Sequence, residues 1–292
     1  MTTVTPTRAA WSFDAIGTVW TIETDAPLTP AVRTEIDDVI ASFDREWSRF
    51  RTDSVVAELS TGGRSVPAPP DAAVMLDVYA ELDAATDGSV NPLVGDALSR
   101  LGYDPGYTLA VHGEPVAAPA RWRDVLRWDS STLVLDAPAM IDVGALGKGR
   151  LVDLVAAVLS ERIDGGFIVD GGGDLVAWGV SQRVGLEHPY DPRRVLGVFQ
   201  VTDAALCASA VTRRAWGDGL HHVLDARTGE PVRAYAATWA VADDAMHADA
   251  LATALFFEGG PELAASWGAE WVRMSTDGRV EWSPGSTAEL FS

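Results

Sequence analysis

One cysteine, Cys207, stands among 292 residues, which excludes a disulfide framework and a metal site built from cysteines. Basic residues are scarce: 22 Lys and Arg face 42 Asp and Glu, for a formal net charge of −20. Nucleic-acid binding needs a basic surface against the phosphates, so this balance disfavours it. An anionic ligand would instead need a metal ion, clustered arginines or helix N-termini at its site. No run of about eighteen apolar residues is present to span a membrane. The N-terminal stretch MTTVTPTRAAWSFDAIGTVW has no apolar segment behind a basic start, so it does not read as a signal peptide, and a cytoplasmic location is expected. Repeats, heptads and low-complexity tracts are also missing. What the chain does have is apolar content: 47% hydrophobic residues, enough for a large core in one domain over residues 1–292 or in two closely associated lobes.

Residues 11–24 alternate loosely, like a strand broken at Gly-Thr. In LTPAVRTEIDDVIASFDREWSRF, Thr29 reads as an N-cap and Pro30 as the first helical residue. Val32, Ile36, Val39, Ile40, Phe43 and Trp47 follow at helical spacing. A second helix is expected in AAVMLDVYAELDAATDG, ending at Gly88, and residues 104–121, rich in Pro, Gly and Ala, read as surface loop. STLVLDAPAMIDVGALGKG suggests a short hairpin and a glycine-rich turn into the helix RLVDLVAAVLSER. The second half offers strands: GFIVD, DLVAWG, RVGLEH, LGVFQV, HHVLD and ATWAVA, then a hairpin in WVRMSTDGRVEWS. Strand and helix do not alternate regularly, so the pattern fits an α+β fold with mixed or antiparallel sheets and packed helices.

Three stretches could carry chemistry. In DDAMHADALATALFFEGG, residues 243–260, Asp249 interrupts an apolar helix and Thr253 lies one turn on, on the same face. A carboxylate and a hydroxyl so placed make a hard oxygen pair suited to Mg²⁺. The structural alternative has Asp249 capping or bonding a neighbouring element and Thr253 bonding back to its own helix. In IDVGALGKG, residues 141–149, glycines open the backbone before a helix start, and Lys148 either adds a charge for a phosphate or is solvated. In HHVLDARTGEPV, residues 221–232, at most one of His221 and His222 faces a given site, because strand side chains alternate. DGGGD lacks the spacing of a dinucleotide fingerprint or a P-loop, and taken alone reads as a tight turn.

Taken in chain order, these pieces resemble the ApbE family of flavin transferases, the FAD:protein FMN transferases, from about Ile16 to Gly260. IGTVW is similar to the family's Met-Gly-Thr segment, with Ile16 for Met, and WSRFRTDS places Phe50 at its aromatic position that contacts FAD. DGSVNPLVGDALSRLGYD resembles a DG-x-x-DP-x-VG stretch, with Asn91 for Asp beside Val90 and Pro92. IDVGALGKGRLVD, FIVDGGGDLVAWG, HHVLDARTGEPV (Ala226 for Pro) and HADALATALFFEGG match the remaining family segments. CASAVTRRAW departs from a Ser-Gly-x-Tyr-Arg stretch by Ala210 and Thr212.

The resemblance implies an ApbE-like fold and a Mg²⁺ held by Asp249, Thr253 and the backbone carbonyl of Ala145. Ala252 stands where some members add a carboxylate. It assigns Ile16, Phe50, Val90, Asn91 and Pro92 to FAD, together with Asp142, Lys148 and Leu224. His222 aligns with the motif histidine and is the candidate for moving a proton. The implied reaction moves FMN from FAD to a Ser or Thr hydroxyl of a target flavoprotein and releases AMP. The alternatives are an FAD pyrophosphatase giving FMN and AMP, and a non-catalytic FAD-binding protein, the latter disfavoured by the retained metal ligands.

Overall fold

The computed structural model describes residues 8–291. Helix α1 (Pro30–Trp47) starts where its cap requires: the Thr29 hydroxyl accepts the Val32 N–H at 3.4 Å, and Pro30 needs no N–H there. Its stripe of Val32, Ile36, Ile40, Phe43 and Trp47 is buried. Helix α2 (Ala72–Ala85) stops three residues short of the expected Gly88. Helix α3 (Gly147–Arg162) begins three residues earlier than RLVDLVAAVLSER suggests, so Gly147, Lys148 and Gly149 form its first turn. Helix α4 (Ala245–Ala254) carries the Asp249 and Thr253 pair.

Residues 11–24 are not one strand. They form β1 (Ala9–Ala15) and β2 (Thr18–Thr24), paired antiparallel with Ala15 opposite Thr18 across the two-residue turn Ile16-Gly17. Both turn residues have positive φ, 42° and 78°, as a type I′ hairpin demands. Asn-Gly is the usual occupant; a β-branched residue in this region costs roughly 1–2 kcal/mol. The main sheet continues with β3 (Phe167–Asp170), β4 (Asp174–Glu187), β5 (Val195–Ala210), β6 (Tyr235–Ala242), β7 (Glu270–Ser275) and β8 (Val280–Trp282). Strands neighbour one another in chain order, every pairing is antiparallel, and a short β9 (Glu289–Leu290) pairs with the far end of β5. This is an α+β architecture, as the element order implied.

DLVAWG and RVGLEH turn out to be one strand, β4, while β5 extends LGVFQV through CASA. The long β4–β5 hairpin folds back on itself. Its register breaks between Ala177 and Ser181, where Gly179 (φ 65°) donates its N–H to the Asp203 carboxylate at 2.6 Å. As a result, Leu186 and Phe199 from the distal half join Leu175, Leu206 and Trp239 in one apolar cluster on one sheet face. The other face packs under the helices, with Phe167 and Val169 pointing into the main core and Ile168 away from it. STLVLDAPAM supplies only one strand (Thr132–Leu135), which pairs with residues 126–128 and 64–67 in a small separate sheet. HHVLD makes only two-residue ladders. No helix among the described residues is long and apolar enough to cross a membrane.

Candidate active site

The first turn of α3 meets α4 at Gly149. A Cβ there would stand 2.1 Å from the Ala245 carbonyl oxygen and 2.7 Å from the Asp249 Cβ, so the crossing requires glycine. From the other side, the Asp153 carboxylate on α3 accepts the N–H groups of Ala245 and Met246 at 2.8 and 2.9 Å, tying down the start of α4. This docking puts Asp249 at the N-terminus of α3, where its Oδ2 accepts the Gly149 N–H at 2.9 Å. One turn along, the Thr253 hydroxyl donates to the Ala145 carbonyl at 3.3 Å.

Asp249, Thr253 and the Ala145 carbonyl therefore meet at one place. The structural alternative holds for one oxygen of Asp249, which does cap α3. It does not hold for Thr253, which reaches across to Ala145 rather than back to its own helix. The other Asp249 oxygen has no hydrogen-bond partner among the described residues, and Asp249 and Thr253 both line the cavity described below. Burial, and then the nearby Asp174, push the Asp249 pKa well above the usual carboxylate range. A buried carboxylate with an open oxygen, beside a hydroxyl and a carbonyl, suits a hard dication. Among the described residues no cluster of three His, Cys, Asp or Glu offers another metal site.

The loop before α3 is pinned by Tyr79, which is buried. Its hydroxyl donates to the Asp142 carbonyl at 3.0 Å and accepts the Ala145 N–H at 3.3 Å. Asp142 accepts the Gly144 N–H through Oδ1 at 2.7 Å, and its other oxygen takes the Arg49 Nε–H. Behind this loop, Lys148 is salt-bridged to Asp174, the fully buried first residue of β4. DGGGD is indeed a tight turn: Asp170 accepts the N–H groups of Gly172 and Gly173, both at positive φ, and the turn delivers Asp174 to the lysine. Burial alone would lower the Lys148 pKa, but Asp174 and then Asp249 outweigh it, and the net shift is upward. The ammonium stays charged. Cys207 lies opposite Asp174 in the sheet, and burial raises its thiol pKa well above normal, so it is an inert core residue.

These groups open into a cavity of about 840 Å³. Ile16, Phe50, Val90, Asn91, Asp142, Lys148, His222 and Leu224 all reach its wall. Pro92 does not; it is buried, and its contribution is a carbonyl that accepts the Asp142 N–H at 2.8 Å. The Asn91 amide donates to the Pro119 carbonyl at 3.0 Å and its oxygen accepts the Leu93 N–H at 2.9 Å, so the side chain braces two loops from the cavity wall. An aspartate here could not make the donation to Pro119. Of the two histidines, His221 is locked between the Val232 carbonyl and the Val223 N–H, and His222 faces the cavity with its Nδ1 unpartnered. Burial, and then the Arg214 cation, hold the His222 pKa down to about 3, so the ring is neutral near pH 7.

Arg49 belongs to the site, although the chain's pattern did not single it out. It is 3% exposed; its Nε–H bonds Asp142, its Nη1 donates to the Tyr103 carbonyl at 2.8 Å, and its guanidinium lies 4.2 Å from the Phe50 ring centroid. The available signal was the Arg preceding Phe50 in WSRFR. Arg213 and Arg214 also line the cavity, so an acidic chain concentrates positive charge where an anion would need it. Leu224 packs with Leu98, Leu101, Tyr103 and Trp216 in an apolar cluster that Phe50 joins.

The chain is similar to known proteins along most of its length. Residues 16–273 match the sequence model of the ApbE family. An FAD:protein FMN transferase from Vibrio cholerae is 26% identical over 245 residues, covering 78% of this chain and 73% of that protein. One from Rhodobacter capsulatus is 25% identical over 302 aligned residues, spanning 96% of this chain and 58% of the relative. Among solved structures, the ApbE protein from Thermotoga maritima superposes with a TM-score of 0.82 at 22% identity, over 95% of this chain and 97% of that one.

Proposed function

The chain belongs to the ApbE family of flavin transferases, and on that premise we propose that it moves FMN from FAD to a Ser or Thr hydroxyl of a target flavoprotein, with Mg²⁺ bound, and releases AMP. The observation that carries this is the meeting of Asp249, Thr253 and the Ala145 carbonyl on the wall of a cavity that also carries aromatic rings and basic side chains. Those three groups would hold the Mg²⁺, which when bound neutralises the pyrophosphate and the charge on departing AMP. Lys148, fixed on Asp174, adds a cation beside them. The acceptor oxygen bonds to the FMN-side phosphorus, the bond from that phosphorus to the bridging oxygen breaks, and AMP leaves with the bridge. Little covalent work falls to the protein in such a transfer; positioning and charge do most of it. His222, neutral and on the cavity wall, is the candidate to accept the proton of the attacking hydroxyl.

Incubation with FAD, Mg²⁺ and candidate acceptor flavoproteins, read by intact mass, tests the proposal. The expected result is an acceptor heavier by FMN less one water, with one AMP per acceptor. Free FMN and AMP beside an unmodified acceptor would point to a pyrophosphatase, and unconsumed FAD to a binding protein.

Phe50 gives a second expected outcome. The buried stripe of α1 ends at Trp47, and Phe50, half-buried beyond it, faces the cavity. Phe50→Ala should weaken FAD binding about tenfold, the worth of one aromatic stacking contact, with little change in melting temperature. A large drop in melting temperature with FAD affinity intact would return Phe50 to a core role.

A further inference from the structure

Two planar groups already occupy Phe50. The Arg49 guanidinium is fixed, being buried and bonded to Asp142 and to the Tyr103 carbonyl. The second group is the Tyr107 ring, stacked at 4.8 Å between centroids and 13° between planes. That spacing admits no third ring, since a sandwiched ring would need the outer two roughly 7 Å apart. If FAD binds here as proposed above, a ring of the dinucleotide and Tyr107 compete for the same face of Phe50.

Tyr107 is built to yield. It is 51% exposed, and its hydroxyl makes no hydrogen bond among the described residues. The hydroxyl lies 3.8 Å from where a Cβ on Gly17 would stand, so the side chain reaches from Phe50 to the Ile16-Gly17 turn on the facing wall. The base of its loop, by contrast, is knotted. The Leu109 N–H bonds the Gly102 carbonyl at 2.9 Å and the His112 N–H bonds the Arg100 carbonyl at 2.7 Å. The Asp104 carboxylate holds the N–H groups of Gly106 and Thr108, the Thr108 hydroxyl and the His112 ring. Tyr107 (φ 48°) and Leu109 (φ 51°) both sit in the left-handed region that non-glycine residues avoid, a strained conformation that needs its surroundings to sustain it. Rotation of the Tyr107 side chain breaks no hydrogen bond, only the stack on Phe50 and an edge contact with the Tyr103 ring at 5.6 Å.

We propose that Tyr107 is a displaceable occupant of the ligand's ring seat on Phe50, swinging out as a planar ring of FAD takes its place. The consequence is kinetic as well as thermodynamic, because ligand finds the seat free only in the fraction of molecules with Tyr107 turned away.

Stopped-flow FAD association on the full chain, with Tyr107→Ala, Tyr107→Phe, Phe50→Ala and the Tyr107→Ala/Phe50→Ala double variant, tests this. Tyr107→Ala should associate with FAD several-fold faster than wild type, about 2- to 10-fold for the loss of one ring stack. Dissociation should change less, so affinity tightens. Tyr107→Phe, which keeps the ring, should keep the slow association. In the Phe50→Ala background, removal of Tyr107 should bring no acceleration. Running adenosine monophosphate and FMN separately shows which half of FAD takes the seat, as the one that Tyr107→Ala accelerates. Unchanged or slower FAD association in Tyr107→Ala, or acceleration that persists without Phe50, overturns the proposal while FAD binding itself stands. Absence of FAD binding to both wild type and Tyr107→Ala instead removes the transferase reading and this one with it.

Discussion

Asp249→Ala should abolish Mg²⁺-dependent AMP release, by about a thousandfold or more, since a catalytic metal contributes several kcal/mol to the transition state. The side chain has two oxygens with two duties. Oδ2 accepts the Gly149 N–H and helps fix α3 against α4; the other is free for the cation. Asp249→Asn separates the duties, because its carbonyl can still accept from Gly149 while the charge that binds metal is gone. Asp249→Asn should therefore fold with a melting temperature at or above wild type, relieved of a buried carboxylate, and remain inactive. Thr253→Ala removes a neutral ligand, so part of its activity should return at high Mg²⁺. Melting curves and Mg²⁺-titrated AMP release on the three variants settle the matter. Full turnover in Asp249→Ala, even with a lowered melting temperature, would reduce Asp249 to a helix cap and remove the metal site.

The pairing of Asp249 with Thr253 could be read from the chain because its spacing is local: the two stand one helical turn apart. Ala145 could not be read that way, and came only with the family resemblance. α1 was legible for the same reason, through Thr29, Pro30 and its apolar stripe. What was not legible depends on partners far along the chain. Arg49 pairs with Asp142, Lys148 with Asp174, and Asn91 with Pro119, each fixed by tertiary packing rather than by local pattern. The Ile16-Gly17 turn was hidden because isoleucine is a poor occupant of a type I′ position; the strain is accepted where the turn borders the cavity. The folded-back β4–β5 hairpin was hidden because its bend depends on a bulge at Gly179 and Asp203, and periodicity alone does not announce a bulge.

The last large effect is expected at the Lys148–Asp174 pair. Lys148 is the chain's only lysine, and it packs, partly exposed at the cavity wall, against a carboxylate that is fully buried and has one oxygen unpartnered. Removing either member leaves the other charge uncompensated. Lys148→Met would leave Asp174 and Asp249 close together with no cation between them, and Asp174→Ala would leave an ammonium with only Asp249 to answer it. Each should cost about 3–5 kcal/mol of stability, the usual penalty for an uncompensated buried charge, with the smaller loss in Asp174→Ala because Asp249 remains. The double variant Lys148→Met/Asp174→Leu removes both charges and fills the space with apolar groups, so its loss should fall well below the sum of the two. Stability and function then part company. The double variant should fold, yet transfer FMN far more slowly, because it lacks the cation that stands beside the Asp249 and Thr253 pair. Denaturant midpoints and AMP release on the three variants measure both quantities. Additive losses of stability would show that the two charges do not depend on each other, and wild-type turnover in the double variant would show that Lys148 serves the fold alone.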